Sequence, residues 1–245
     1  MTLKTKVRES LIKMTGYWIY KQKDIPVGCD LKNDLKHKIC LPIRTVFDVG
    51  ANIGQTALRY NEYFNESMIY SFEPITKTFH DLANNTKNLG RVMCFNLALG
   101  DKVDSIVVDV FEGESSILNS LKKESMNKNG NLKETVEVTT GDIFCKENNI
   151  SEIDLLKIDN EGYEIQVLHG FSKMIRESKV KAVYCEVGFD PENIRNTYIN
   201  DLIAFASEND FTFYGLYEVI NLEIKTGYNH GNILFINSDV INNLL

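Results

Sequence analysis

The chain is predicted to be an α/β protein built on a mostly parallel sheet. From Thr45 onward, short runs of β-branched and aromatic residues alternate with segments of helical periodicity, as in successive strand–helix–strand units. The alternation breaks between residues 105 and 139, and the chain closes with two strands that have no helix between them. These observations predict a domain over residues 45–245 with a β insertion and a final strand pair, preceded by a helical extension over residues 1–44.

The elements follow from the apolar spacing and the turn residues. In each predicted helix apolar residues recur every three or four positions, which gives one face that can pack on a sheet. Helices are predicted after Gly54, from Phe79 to a stop at Gly90, through Ile165 and Ile175, and from about Ile194. The strands are predicted at Thr45–Val49, Met68–Phe72, Val92–Leu97, Ser105–Phe111, Thr135–Thr139, Ile153–Ile158, Ala182–Val187, Phe211–Leu216 and Ile233–Ile236.

Composition and charge argue against several classes of protein. The 245 residues are 43% hydrophobic, enough for the core of one large domain. The net charge of −7 argues against a nucleic-acid partner, which requires a basic face. No apolar run approaches the ~18 residues of a membrane span, and the charged first residues lack the apolar core of a signal peptide. Five cysteines without a Cys-x-x-Cys pair indicate free thiols, so a cytoplasmic location is expected.

The first residues predict an amphipathic helix. Val7, Leu11, Met14 and Trp18 recur at helical spacing between Leu3 and Trp18. Such a helix is expected to pack against the domain or against the partner subunit of a homo-oligomer. The alternative is a helix that lies on a membrane surface, and the sequence leaves it open.

The most informative segment runs from Thr45 to Gln55. A strand leads into Asp48, a Gly-Ala-Asn-Ile-Gly turn follows, and a helical pattern begins. The glycines allow the backbone to approach a ligand closely, and the helix start offers free N–H groups. Glu73 follows the second strand, at the position where such folds bind the ribose hydroxyls of a nucleoside. Together these features predict a nucleoside-cofactor site.

The turn also discriminates between cofactors. Asn52 stands where the dinucleotide fingerprint has its second glycine, the residue that lets a pyrophosphate approach the backbone. An NAD-dependent oxidoreductase is therefore disfavoured. S-adenosylmethionine, a nucleoside with an amino-acid tail and no pyrophosphate, suits the turn better. Asp48 is expected to meet the ammonium group of that tail, directly or through water.

Several segments carry a family resemblance. They are Phe47–Gln55, Phe72–Pro74, Ala98–Asp101, Ser115–Ser116 and Leu155–Glu164. Together they resemble the FkbM family of S-adenosylmethionine-dependent O-methyltransferases, over roughly Thr45 to Ile236. The resemblance implies a Rossmann-like class I methyltransferase fold with seven strands in the order 3-2-1-4-5-7-6 and strand seven antiparallel. It implies a cofactor site formed by Asp48, Gly50, Asn52, Gly54, Gln55, Glu73, Asp101 and Asp159. Asn160 departs from the valine common in the family.

Three polar residues are predicted to meet at one sheet edge. In the implied strand order Asp159 and Glu186 end neighbouring strands, and His230 just precedes the antiparallel strand beside them. These residues would either bind a divalent Mg, Mn or Fe ion that lowers the pKa of a substrate hydroxyl, or act as a general base with orienting partners. Simpler roles stay open, with Asp159 and Glu161 as helix caps and His230 as a loop residue.

The resulting functional hypothesis is an O-methyltransferase that acts on a small molecule. The range of the family indicates a carbohydrate acceptor, such as a nucleotide-activated sugar for capsular polysaccharide or another surface glycan. A secondary metabolite is the alternative acceptor. The polar stretch Lys122–Lys133, near Ser115 and Ser116, is expected to be a mobile hairpin tip beside the acceptor. A cofactor-binding module without catalytic activity is the non-enzymatic alternative.

Overall fold

A seven-stranded sheet forms the centre of the fold. The computed structural model describes residues 3–110, 132–193, 195–221 and 229–242. The strands are β1 (Thr45–Val49), β2 (Met68–Phe72), β3 (Val92–Phe95), β4 (Ala98–Leu99), β5 (Asp104–Val110), β6 (Leu132–Thr139), β7 (Leu155–Ile158), β8 (Ala182–Gly188), β9 (Phe211–Asn221) and β10 (Asn229–Asn237). The sheet runs β3-β2-β1-β7-β8-β10-β9, with β10 antiparallel to both neighbours. Numbered along the chain within this sheet, the order is 3-2-1-4-5-7-6, which confirms the predicted fold.

The described helices differ from the prediction in several places. They are α1 (Leu3–Thr15), α2 (Leu31–Asn33), α3 (Gln55–Tyr63), α4 (Thr76–Thr86), α5 (Gly141–Glu147), α6 (Glu164–Gly170), α7 (Ser172–Arg176), α8 (Ile199–Glu208) and α9 (Ser238–Asn242). The single helix predicted through Ile165 and Ile175 is two helices, because the Asp142 carboxylate accepts the Lys173 N–H at 2.8 Å and starts a new helix there. α8 begins at Ile199 rather than near Ile194.

Apolar side chains cover both faces of the main sheet. Successive residues of each buried strand point to opposite faces, so Val46 and Leu155 enter one cluster while Phe47 and Leu156 enter the other. α5 to α8 cover the Phe47 face, and α3 and the segment Leu35–Ile43 cover the Val46 face. Coverage of both faces explains why the strands are almost continuously hydrophobic.

The β insertion forms a second, smaller sheet. β5 pairs antiparallel with β6, and β6 pairs parallel with the short β4, in the order β4-β6-β5. The strand predicted over Val92–Leu97 therefore ends at Phe95, and the chain changes sheets at Ala98. Val108, Val136 and Val138 pack with Ala98 and Ile75, which places the insertion beside the edge where β2 ends. Ser115, Ser116 and most of the predicted hairpin tip lie outside the described residues.

The first part of the chain remains outside the core. No residue from 4 to 32 is buried, whereas Leu35, Ile39 and Ile43 pack against the sheet. Asp34 fixes this second stretch, because its carboxylate accepts the Tyr217 hydroxyl at 2.7 Å and pairs with Lys38 at 2.8 Å. In the described ranges no helix has the length and apolar character needed to cross a membrane.

Candidate active site

Three residues in the left-handed backbone region shape the turn after β1. Gly50, Asn52 and Gly54 have φ values of 75°, 49° and 95°. Glycine adopts this region without steric cost, and asparagine tolerates it better than most residues. The Gly50 amide donates to the Phe72 carbonyl at 3.1 Å, which holds the turn to the end of β2. α3 begins directly afterwards at Gln55, so its first turn offers N–H groups to a ligand.

Glu73 is bound to this same turn. Its Oε2 accepts the Asn52 N–H at 3.0 Å, and its Oε1 accepts the Ile75 N–H at 3.0 Å. Burial raises the pKa of Glu73 to about 7, against the opposing effect of these two donors. The carboxylate predicted to bind ribose is therefore oriented by the backbone of the turn predicted to approach the cofactor.

The turn lies directly against the end of β7. A Cβ atom on Gly50 would lie 2.0 Å from the Asp159 carbonyl oxygen and 2.4 Å from Asn160 Oδ1, so no side chain fits there. The Asp159 N–H donates to the Val49 carbonyl at 3.0 Å and continues the pairing of the two strands. Residues predicted for cofactor binding and for catalysis thus touch at one sheet edge, the edge at which open α/β sheets bind ligands.

Lys157 connects the ends of β1 and β7. Its Nζ lies 3.0 Å from Asp48 Oδ1 and 3.5 Å from Asp159 Oδ2, and it donates to the Gly50 carbonyl at 3.2 Å. Burial alone would lower the pKa of Lys157, but the carboxylates of Asp48 and Asp159 together raise it above its usual value. The lysine therefore stays charged inside the sheet.

Asp48 has a different environment from the one expected. Its side chain is fully buried beside Lys157, and burial raises the pKa of the Asp48 carboxyl despite that lysine. Lys157 Nζ is its ion-pair partner, at 3.0 Å from Oδ1. A contact between Asp48 and the ammonium group of a cofactor, directly or through water, stays a prediction.

A buried glutamate organises the turn that follows β7. Glu164 Oε1 accepts two N–H groups of that turn at 3.0 and 3.2 Å, and its Oε2 accepts the Thr197 hydroxyl. Glu161, in the left-handed region with φ 51°, pairs with Arg195, whose Nη2 lies 2.8 Å from Glu161 Oε1. Because Thr197 and Arg195 follow β8, these contacts join the loops after β7 and β8.

Glu186 lies at the end of β8 among these acidic residues. The Asn196 side-chain amide donates to Glu186 Oε2 at 2.7 Å. Burial raises the pKa of Glu186 to about 9, and the nearby carboxylates of Asp159 and Glu161 act in the same direction. Glu186 therefore holds a proton at neutral pH, and once ionised it is a stronger base than an ordinary carboxylate.

The position of His230 differs from the one predicted from the sequence. It lies within β10, whose pairing begins at Asn229, rather than just before the strand. His230 pairs with Gly188, and Asn232 is the residue opposite Glu186. The register shift between His230 and Asn232 on the other side of β10 places one extra residue in β9.

The metal hypothesis is not supported. Across residues 3–110, 132–193, 195–221 and 229–242, no group of three or more His, Cys, Asp or Glu side chains is arranged to hold a metal ion. Asp159 is engaged by Lys157, and Glu186 by Asn196. Asp159, Glu186 and His230 share an edge but do not form a coordination sphere.

The remaining predicted cofactor residues flank the turn. Gln55 and Asp101 are exposed, the first at the start of α3 and the second just after β4. Ala98 and Ile75 share one apolar cluster, so the turns after β2 and β4 are neighbours. Glu73 and Asp101, which follow β2 and β4, therefore lie in neighbouring turns.

A cavity of about 190 Å³ lies between α3, the sheet and the segment Gly28–Leu31. Glu218 lies on its wall, where it pairs with Arg59 at 3.0 Å and accepts the Asn232 side-chain amide at 3.1 Å. Tyrosine side chains make up much of the lining, namely Tyr60, Tyr63, Tyr184 and Tyr217. Tyrosine rings beside carboxylates and an arginine offer both stacking faces and hydrogen-bonding groups to a small polar ring.

Sequence reasoning missed five residues of this edge. Lys157 and Glu164 could have been identified from the sequence. An isolated lysine in an apolar strand and a glutamate just after a glycine-containing turn both require partners. Arg195 and Thr197 had no such signal, since their partners Glu161 and Glu164 lie 34 and 33 residues away in the sequence. Asn196 had none either, because no local pattern marks a loop amide that turns back to the preceding strand, where Glu186 lies.

Comparison with known proteins places this geometry in a family. Residues 48–213 match the model of the methyltransferase FkbM domain. The chain is 27% identical to the hexuronic acid methyltransferase AglP of Haloferax volcanii over 150 residues, 61% of this chain and 59% of that protein. It is 24% identical to the 2-O-methyltransferase NoeI of Sinorhizobium fredii over 156 residues, 59% of this chain and 63% of that protein. The matched region thus spans about three fifths of the length of each of these relatives.

Comparison with solved structures gives a superposition at low sequence identity. The magnesium protoporphyrin IX methyltransferase of Synechocystis, solved with bound S-adenosylmethionine, superposes with a TM-score of 0.47 at 11% identity. The superposition covers 97% of this chain and 98% of that chain.

Proposed function

The chain belongs to the family of proteins with a methyltransferase FkbM domain, and from this premise we propose that it methylates a hydroxyl oxygen of a small molecule, using S-adenosylmethionine. The observation that carries the proposal is the joining of Glu73 to the glycine turn through Asn52. A carboxylate fixed beside a turn that has no room for a Cβ at Gly50 suits a ribose and a short polar tail.

The chain's residues would divide the chemistry between them. When bound, S-adenosylmethionine supplies an electrophilic methyl group on a sulfonium. Asp159, half-exposed at the end of β7, orients the acceptor hydroxyl. Glu186, whose ionised form the positive charge of a bound sulfonium would favour, then takes the hydroxyl proton as the oxygen–methyl bond forms and the carbon–sulfur bond breaks. Asn196 holds the Glu186 carboxylate in place. His230, two residues along β10 from the position opposite Glu186, is a positioning residue in this scheme.

The proposed acceptor is a hydroxyl-bearing sugar, free or nucleotide-activated. Two observations support it: the tyrosine-lined cavity with Arg59 and Glu218, and the similarity to the Haloferax relative, which is named a hexuronic acid methyltransferase. A cavity of about 190 Å³ is below the ~300 Å³ typical of drug-sized ligands, so it suits a single small ring. A secondary metabolite is the alternative acceptor.

Cofactor binding and turnover test the proposal separately. Calorimetry should show micromolar binding of S-adenosylhomocysteine and far weaker binding of NAD. Glu73→Ala should weaken the first by about 1.5–3 kcal/mol, the scale of a hydrogen bond to a charged group. A radiolabelled methyl-transfer assay with sugars, sugar nucleotides and polyphenols then identifies the acceptor class. Equal affinity for NAD would refute the methyltransferase, and cofactor binding without any methyl transfer would favour a non-catalytic module.

A further inference from the structure

Residues 4–23, the N-terminal basic segment, differ in charge from the rest of the chain. They hold six of the chain's 27 basic side chains and one of its 34 acidic side chains. The chain as a whole has a net charge of −7. Such a charge asymmetry within one chain is typical of a segment that meets an anionic surface.

The apolar residues of this segment are displayed to solvent. Val7, Leu11 and Met14 lie on one face of α1 at the spacing i, i+4, i+7, and Met14 is 80% exposed. Beyond the helix, Tyr17 and Trp18 are 76% and 74% exposed. Large apolar side chains are rarely grouped in this way on a surface without a partner.

The chain geometry keeps the aromatic residues together. Gly16, with φ +73°, ends α1, and its N–H donates to the Ile12 carbonyl at 2.8 Å. In the extended stretch that follows, the rings of Trp18 and Tyr20 stack with centroids 6.5 Å apart. An apolar helix face is thus followed along the chain by an aromatic pair, and the segment that holds both contains five lysines and an arginine.

We propose that the N-terminal basic segment binds the surface of an anionic membrane, with Val7, Leu11, Met14 and Trp18 in the headgroup–acyl boundary. Basic amphipathic helices with aromatic residues lie in that boundary, and tryptophan and tyrosine prefer it. The lysines supply the selectivity for anionic lipid, because each contributes an attraction that falls off within a Debye length. The enzyme domain would then work beside the membrane, attached without a spanning segment.

Trp18 makes the proposal directly testable. It is the single tryptophan of the sequence, so its fluorescence reports this segment alone. The full chain is titrated with phosphatidylcholine vesicles containing about 30 mol% phosphatidylglycerol, and with pure phosphatidylcholine vesicles. A blue shift and a rise in emission are expected with the anionic vesicles, and both should fall sharply in about 0.5 M salt, where the charges are screened.

Variants separate the apolar and the electrostatic contributions. Met14→Asp should abolish the shift, and the double variant Lys4→Gln/Lys6→Gln should weaken vesicle affinity by roughly fivefold for each lysine. Val103→Asp and Lys146→Gln change an exposed valine and an exposed lysine elsewhere and should bind vesicles like the parent chain. All variants should keep their affinity for S-adenosylhomocysteine, which confirms that they are folded.

Three results would overturn the proposal. They are no shift with the anionic vesicles, an undiminished shift in Met14→Asp, and a shift with a nucleic-acid duplex but none with vesicles. The last result would assign the basic segment to a nucleic acid instead.

Discussion

The two halves of the functional edge are built by different means. The glycine half, residues 48–55 and 73–75, is held by left-handed residues and by hydrogen bonds that backbone N–H groups donate to carbonyls and to the Glu73 carboxylate. The acidic half, residues 159–164, 186 and 195–197, is held largely by side-chain pairs that involve the loops after β7 and β8. Backbone geometry produces a fixed shape that suits a constant ligand, whereas side-chain pairs change by substitution. Under the proposed function, the glycine half would serve the constant cofactor and the acidic half a variable acceptor.

Glu186→Gln changes only the acidic half, and we expect its effect on kcat to be the largest effect among these variants. Loss of a general base typically costs 10²–10⁴-fold in rate. We expect kcat to fall within this range while the affinity for S-adenosylhomocysteine is unchanged, measured by methyl transfer and calorimetry. Glu177→Gln, an exposed carboxylate on another surface, is the matched control. A kcat close to that of the parent would remove Glu186 from the role of base.

Lys157→Met should damage both halves, because Lys157 contacts Asp48, Asp159 and Gly50 together. Removing one member of a buried ion pair costs about 3–5 kcal/mol, since the remaining charge is left without compensation. Urea unfolding should show this loss in the free energy of unfolding. Replacing Asp48 by Asn in the same chain should recover part of it, and a double variant no more stable than the single variant would contradict the pairing.

Gly50→Ala should act first on the glycine half. The new Cβ would meet the Asp159 carbonyl, and alanine is strained at φ 75°. We expect the affinity for S-adenosylhomocysteine to fall by about a hundredfold, the equivalent of about 2.7 kcal/mol. Gly90→Ala is the control, because no atom lies within 4 Å of its Cβ position. Equal cofactor affinity in the two variants would mean that the close approach has no role in binding.

The smallest effect concerns pH and Glu73. Since the pKa of Glu73 is raised to about 7, cofactor-free protein is partly protonated there in neutral solution. Ribose hydroxyls donate best to the ionised form, so the affinity for S-adenosylhomocysteine should fall on acidification below pH 7, by at most about tenfold per pH unit. Calorimetry from pH 6 to about 8.5 measures this, and Glu73→Gln should give a flat profile. A parent profile as flat as that of the variant would contradict the assignment.

The raised pKa of Glu73 also predicts how the stability of the folded state depends on pH. The ordinary pKa is 4.5 and the folded value is about 7, so the folded state binds the proton more tightly. The contribution of Glu73 to stability is present below pH 4.5 and is lost as the pH rises through 7. Bound cofactor should offset that loss.

Residues of the glycine half could be predicted from the sequence more readily than residues of the acidic half. Gly50, Asn52 and Glu73 were identified because a tight turn depends on local backbone chemistry, and the strand order followed from the family resemblance. Arg195 and Thr197 were not identified, because their roles appear only when the strand order brings them to Glu161 and Glu164.

The positions at which strands begin and end were also difficult to predict. Asn229, His230 and Gly231 have low β propensity, yet β10 includes them because β8 pairs with His230 and Gly231. Tertiary pairing thus overrode the local signal, and the predicted position of His230 moved with it. The N-terminal residues had the opposite outcome: the amphipathic pattern was clear, but only the structure showed that no residue of α1 from Lys4 to Thr15 is buried.

The close packing of Gly50 on Asp159 would link the binding of the methyl donor to the binding of the acceptor. A ligand in the glycine turn would restrain Asp159, the residue proposed to orient the acceptor, because Gly50 packs against the Asp159 carbonyl. We therefore expect ordered sequential kinetics, in which the methyl donor enters first and its demethylated product leaves last. Initial-rate patterns should show S-adenosylhomocysteine as a competitive inhibitor against the donor and a noncompetitive inhibitor against the acceptor. Each turnover would then begin with the turn already filled, so no acceptor would be held where it cannot react.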